Sequence, residues 1–261
     1  MKDDATINDE GTGLPASIEL AWGIRERPTK GPKRGLSLER IVEAAVRIAV
    51  TEGLGAVSMN RVATNLGAST MSLYRYVESK EELLTLMVDA AGGKPPQTDE
   101  STAEWRAGLA RWAWAYRAVL RRHPWMLRVP ISGPPVTPNQ IAWLDYGLRA
   151  LGATHLAEGE KLSVMLLLSG FVRNEATLSA DLTAAALAAG VTTPDVMPRY
   201  SRLLKRLTNP EQFPAIHAAI AAGAMDDEDD EEHEFVFGLE RLLDGVDVLV
   251  REREMAHAGT D

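Results

Sequence analysis

Four hydroxyl side chains, each just ahead of a short apolar run, cut residues 37–92 into helices of defined length. Ser37 is a good N-cap, and Leu38, Ile41, Ala45 and Ile48 follow at spacings of three and four, which predicts one apolar helix face. Gly53 and Gly55 end that helix. Ser58 caps a second, short helix with Val62, Ala63 and Leu66 on its inner side, and Gly67 stops it. Ser69 or Thr70 starts a third over Met71 to Tyr76. Ser79-Lys80-Glu81-Glu82 has the spacing of a capping box and launches a fourth through Leu83, Leu84, Met87 and Val88. Gly92-Gly93-Lys94-Pro95-Pro96 then reads as a hinge.

Beyond Pro96 the apolar residues recur with helical period over Trp105 to Arg122, Pro138 to Leu151, Gly159 to Ala189 and Glu231 to Glu254, and no stretch alternates as a strand would. The expected fold class is all-α. It comprises an N-terminal three-helix helix-turn-helix domain over 37–92, with its motif at 58–77, and a C-terminal helical regulatory and dimerisation domain over 97–254. Residues 1–36 are expected to be a flexible extension, acidic then basic, with a short helix allowed at Ala16 to Trp22. The run at 226–234, "DDEDDEEHE", reads as a solvated loop leading into the last helix.

The chain has 261 residues and a net charge of -9, the wrong sign for binding nucleic acid until it is divided. Residues 25–80 hold ten Lys and Arg against five Asp and Glu, so this segment is positive within an acidic chain. Within it "RERPTKGPKRG", Arg25 to Gly35, can lie along phosphates or serve as a solvated linker. No cysteine is present, which excludes disulfide scaffolds, thiolate metal sites and thiol redox chemistry. The longest apolar stretch, Val164 to Val172, is broken by Ser169 and Gly170, so no membrane span is expected and the cytoplasm is the expected compartment. The five histidines, at 123, 155, 217, 233 and 257, lack metal-ligand spacing, and neither a metal nor a cofactor is expected.

In "SMNRVATNLGASTMSLYRYV" two short helices meet at Gly67 to Ser69, and the second carries Ser72, Tyr74, Arg75 and Tyr76. A helix-turn-helix offers its second helix to the DNA major groove. Arg75 suits guanine O6 and N7, while Ser72 and the methyls of Thr70 and Met71 suit thymine methyls or phosphates. Lys80, at a helix start, is placed for a phosphate. The order "GASTMSLYRYVESKEELL" closely resembles the DNA-binding domain of the TetR family. That resemblance implies operator-facing roles for Ser58, Asn60, Thr70, Met71, Ser72, Tyr74, Arg75, Tyr76 and Lys80, with double-stranded operator DNA as partner. It also sets Asn60 where the tetracycline repressor has an arginine able to read bases, so a different operator is expected.

The second domain resembles the tetracycline-repressor-like C-terminal domain through "RRHPWML", "GPPVTPNQIAWLDYGLRAL", "LLLSGFVRN" and "FVFGLERLLDGV". This implies a homodimer built on two long helices per subunit, and repression relieved by a small-molecule effector of unknown identity. Independently, Phe235, Leu239, Leu242, Val246 and Leu249 form an a/d seam with Gly238 and Gly245 beside it, favouring packing between subunits over packing within one. Trp112, Tyr116, Met126, Trp143, Met165, Phe171 and Asn174 are the candidate effector-pocket residues. The motifs that would mark an enzyme, namely G-x-S-x-G, a P-loop or a dinucleotide glycine pattern, do not occur. A regulator that is not an enzyme is therefore expected, with a DNA-independent interaction module and an activator as the other readings.

Overall fold

The computed structural model describes residues 13, 15–24, 36–97, 104–192, 195–225 and 232–259. The basic arm, 25–35, and the acidic residues 226–231 lie outside the described residues. Among the described residues the regular structure is helical throughout: α1 (Ala16–Ala21), α2 (Leu38–Glu52), α3 (Met59–Leu66), α4 (Thr70–Leu73), α5 (Lys80–Gly92), α6 (Trp105–Arg122), α7 (Pro138–Ala150), α8 (Glu158–Ala188), α9 (Val196–Leu207), α10 (Pro214–Ala221) and α11 (His233–Ala258), with short 3-10 turns at Leu54–Ala56 and Pro124–Arg128.

Contacts divide the chain into two compact units. The first holds residues 1–103 and 118–149, and the second holds 104–117 and 150–261. This division differs from the linear one, because α7 and the end of α6 pack with the helix-turn-helix.

In the first unit each expected cap is made. Ser37, Ser58, Ser69 and Ser79 accept hydrogen bonds from the amides of Arg40, Arg61, Ser72 and Glu82, satisfying donors that a helix start leaves free. The apolar face of α2 is buried as its spacing requires, with Leu38, Ile41, Ala45 and Ile48 all in the core. At the fourth helix the box differs in one bond: the Glu82 carboxylate accepts from the Glu78 amide rather than from that of Ser79. It also accepts from the buried Ser17 hydroxyl. Ser17 belongs to α1, which packs on α2 with Ile18 buried. The Trp22 indole donates to the Val136 carbonyl at 2.7 Å. Residues 15–24 of the extension expected to be flexible are therefore a docked helix and turn, because Ser17, Ile18 and Trp22 each find a partner that a reading of local pattern cannot see.

In the second unit α6, α8 and α11 enclose a charged pair. Arg117 is almost wholly buried and forms two parallel hydrogen bonds to Glu175, at 3.0 and 2.9 Å, with its guanidinium 4.5 Å from the centre of the Phe235 ring. The fork geometry and the aromatic face compensate a cation taken out of water. At the start of α8, Glu160 accepts from the Ala157 amide and from Arg253 of α11, which holds the carboxyl below its usual range, the Arg253 hydrogen bond being the larger cause.

The a/d seam on α11 behaves differently from the expectation of packing between subunits. Phe235, Leu239 and Val246 are buried within this single chain, together with Leu243 and Val250. Leu242, Gly245 and Leu249 instead line an open groove with α8. The helix is apolar over a wider arc than one seam, and α8 takes half of it. Gly238 lies on the closed half, where a Cβ would stand 2.5 Å from Phe171 Cε2, whereas a Cβ on Gly245 would meet nothing. Replacing Gly238 by Ala is expected to cost about 1–3 kcal/mol through overpacking. A fall in melting temperature for Gly238→Ala, against none for Gly245→Ala, checks this.

Candidate nucleic-acid interface

The turn between α3 and α4 is set by Gly67, whose φ of 62° is the left-handed conformation that side chains disfavour. The amides of Gly67 and Ala68 return to the carbonyls of Thr64 and Ala63, which closes α3. Ser69 then caps α4, and its hydroxyl lies 2.7 Å from that of Ser72. α4 is a single turn, shorter than the expected Met71 to Tyr76. The Leu73 carbonyl accepts from both Tyr76 and Val77, and this bend lets Leu73 and Val77 enter the core together.

Burying Leu73 places the residues on the other side of the α4 segment in solvent. Met71 is 75% exposed, Tyr74 and Arg75 are exposed, and Thr70 is half-buried beside them. Asn60 on α3 and Lys80, the first residue of α5, are exposed too. An exposed cation, a phenol, an amide and an ammonium around one short helix are the groups that bind base edges and phosphates.

Three expected interface residues carry structural duties. The Ser58 hydroxyl is the α3 cap, and that of Ser72 is engaged with Ser69. The Tyr76 hydroxyl donates to the Leu36 carbonyl at 3.1 Å, fixing the chain where it enters α2. Arg61, absent from the expected set, forms a two-point ion pair with Glu52, and hydrogen bonding to Glu52 raises its pKa above the ordinary guanidinium value. The nine-residue separation of Arg61 and Glu52 gave no local signal for this pair.

The seven candidate pocket residues fall in both units. Trp112 and Met165 are buried in the second, and the Trp112 ring centre is 4.9 Å from that of Tyr116. Burial pushes the Tyr116 hydroxyl up, with the neighbouring Arg173 opposing. Phe171 stacks on Phe235 at 5.6 Å and edges the α8–α11 groove, whereas Asn174 is exposed on α8. Met126 and Trp143 are buried in the first unit, where the Trp143 indole donates to the Gly93 carbonyl at 2.9 Å. Nearby in sequence, the Trp125 indole nitrogen and His123 Nδ1 are buried without a partner among the described residues, and burial lowers the pKa of His123. Among the described residues no three His, Asp or Glu side chains are grouped to hold a metal, and no helix is long and apolar enough to cross a membrane.

A capped helix-turn-helix with an exposed polar second helix, followed by a long helical region, defines a DNA-binding regulator of transcription. Residues 41–87 match the family described as "Bacterial regulatory proteins, tetR family", and residues 96–250 match "Tetracyclin repressor-like, C-terminal domain". The chain belongs to the TetR family, whose members are DNA-binding regulators rather than enzymes. It is 36% identical over 93% of its length, and 89% of the relative's, to the "HTH-type transcriptional repressor DrrR1" of Streptomyces coeruleorubidus. Among solved structures it is similar to the Streptomyces coelicolor protein ActR in complex with actinorhodin, at 25% identity and a TM-score of 0.70, covering 82% of this chain and 96% of that one. It also shares its fold with BioQ, solved with its double-stranded DNA operator, at 21% identity and a TM-score of 0.50, covering 59% of this chain and 93% of that one.

The division between structural and exposed residues is measurable. Ser58→Ala is expected to lose about 1 kcal/mol of stability with the cap. Tyr76→Phe is expected to lose about 0.5–1.5 kcal/mol with its hydrogen bond. Chemical denaturation of these variants beside Met71→Ala, expected to leave stability unchanged, checks the assignment.

Proposed function

We propose that the chain is a homodimeric repressor that holds a pseudo-palindromic operator and leaves it when a small molecule binds. The division of labour follows the linear plan, with 37–92 as reading head and 97–254 as regulatory and dimerisation domain. The observation that carries the DNA-reading part is the exposed set around α4, namely Met71, Tyr74 and Arg75 with Asn60 and Lys80 beside them, in a segment of net positive charge. In this reading Arg75 recognises a base edge, Tyr74 and Lys80 hold the sugar-phosphate chain, and Thr70 and Met71 meet thymine methyls. Ser58, Ser72 and Tyr76 act through the placement of α3, α4 and the entry to α2.

The dimer reading rests on α8 and α11. Leu162, Leu166, Leu167 and Leu178 of α8 and Val248 of α11 are exposed, and the groove of about 810 Å³ between the helices includes Leu167, Leu242, Gly245 and Leu249. Apolar surface of this extent on two antiparallel helices fits the same surface of a second copy, and a two-fold dimer presents its recognition helices about 34–36 Å apart, one DNA turn. The repressor sense is supported by the likeness to DrrR1, and the effector by the likeness to ActR with actinorhodin. Of the expected pocket residues, Trp112, Tyr116, Met165 and Phe171 of the second unit are the proposed effector contacts. An effector that binds the DNA-incompetent arrangement more tightly shifts the population off the operator, and only that difference in affinity matters. The proposed compartment is the cytoplasm, where the operator is.

Two experiments test this. Binding of the purified protein to DNA flanking its own gene, over a range of salt, is expected to be specific and salt-sensitive. Arg75→Ala is expected to weaken it by about 1–3 kcal/mol, roughly 5- to 150-fold, with lost base discrimination. Tyr74→Ala should weaken all sequences alike. Loss of neither affinity nor discrimination in both variants would remove the operator-reading assignment. Separately, Leu167→Glu is expected to convert the dimer to monomer in sedimentation velocity, and an unchanged dimer would place the interface elsewhere.

A further inference from the structure

The first amides of α7 need acceptors, and the residue in its N-cap position, Thr137, is of a type that can supply one. The Thr137 side chain, however, is wholly buried, and its hydroxyl has no hydrogen-bond partner among the described residues. The acceptor comes from α5 instead. Asp89 Oδ1 accepts from the backbone amides of Asn139, at 2.9 Å, and Gln140, at 3.0 Å, which are the second and third residues of α7. Asn139 Nδ2 donates to Asp89 Oδ2 at 3.0 Å and to the Asp89 carbonyl at 3.1 Å. A carboxylate at a helix N-terminus is doubly favoured, by charge-assisted hydrogen bonds and by the helix dipole. Asp89 is buried, so these bonds stand where water competes little.

Two further ties run beside this one. The Trp143 indole of α7 donates to the Gly93 carbonyl at the end of α5, and the Trp22 indole donates to the Val136 carbonyl just ahead of α7. Trp22 follows α1, itself held to α5 through Ser17 and Glu82. Asp89, Gly93, Ser17 and Trp22 all lie outside the two stretches, 41–87 and 96–250, that match the family descriptions. Each tie therefore joins a residue inside the matched stretches to one outside them.

We infer that Asp89 is a positioning residue that makes α7 a rigid extension of the reading head, so that a displacement anywhere in 138–150 is delivered to α4 through the α5 carboxylate. The mechanical boundary of the reading head then lies after α7 rather than at the Gly-Pro hinge, in agreement with the contact division of the chain. If Asp89 served only to cap α7, a carboxylate on α7 itself would serve equally, and moving the carboxylate separates the two roles.

Native-state hydrogen exchange of the full chain, free of DNA, reads the joint directly. In the wild type the amides of residues 83–92 and 139–147 are expected to open as one cooperative unit. Asp89→Ala should lower the protection of Asn139 and Gln140 by about tenfold or more and let α7 open by itself. In Asp89→Ala combined with Thr137→Asp, the relocated carboxylate should restore that protection and the melting temperature while α5 and α7 still open separately. Shared opening in the double variant, or separate opening already in the wild type, overturns the inference. Should Asp89→Ala fail to fold, Asp89→Asn keeps one acceptor and Trp22→Phe removes a single donor, and each should uncouple the two helices in part; full coupling in both would count against the joint. A second arm uses an operator duplex recovered by in vitro selection from random-sequence DNA. Duplex binding should slow exchange in α4 and α7 of the wild type, but in α4 alone of the double variant. Failure of any duplex to bind would overturn the DNA-reading proposal, and the DNA-free exchange result would still decide the joint.

Discussion

A helix start leaves backbone amides without acceptors, and a buried amide without an acceptor costs on the order of 1–3 kcal/mol. Much of the first unit follows from how this debt is met. In α2, α3, α4 and α5 a serine one residue ahead of the helix meets it, so each helix begins where the chain itself says it must. The one-turn helix α4 depends on its cap most. With only one turn between Ser69 and the bend at Leu73, α4 has little helical stability of its own, and its cap, the Gly67 turn and the buried Leu73 and Val77 hold it in place.

Glu82 shows how a local device acquires a distant task. Its amide donates to Ser79, its carboxylate takes the Glu78 amide, and the same carboxylate receives the Ser17 hydroxyl of α1. A capping residue thereby anchors the N-terminal helix, and Trp22 at the end of that helix reaches the approach to α7. The helix-turn-helix is in this way tied to residues outside itself. In the second unit the corresponding anchor is electrostatic. The buried Arg117 is matched in direction by Glu175 and covered by Phe235, a geometry that tolerates few other partners and so fixes the register of α6, α8 and α11.

Periodicity and caps made much of the helical layout readable. Trp105–Arg122 was bounded to the residue, and α2, α3 and α5 start where their serines place them. The length of α4 was not readable, because the double acceptance at the Leu73 carbonyl is set by where Val77 must go. Likewise, the residue types around the motif pointed to DNA, but type cannot tell an outward hydroxyl from one engaged at home. Ser58, Ser72 and Tyr76 look alike with Tyr74 in the sequence, and only packing distinguishes them. The α11 seam was legible as apolar, whereas its division between α8 and the open groove depended on which flank α8 covers.

What the sequence determined by itself is whatever is settled within about four residues: the caps, the glycine stops, the apolar faces and the positive charge of 25–80. Those interactions are made between neighbours, so their spacing is their geometry. What only the tertiary structure decided are the bonds between residues far apart in the chain, above all the cap of α7. Thr137 stands in the capping position and does not cap; Asp89, fifty residues before the Asn139 amide it accepts from, does. An amide takes whichever acceptor the fold brings to it, and which one arrives is a property of packing that no local pattern records.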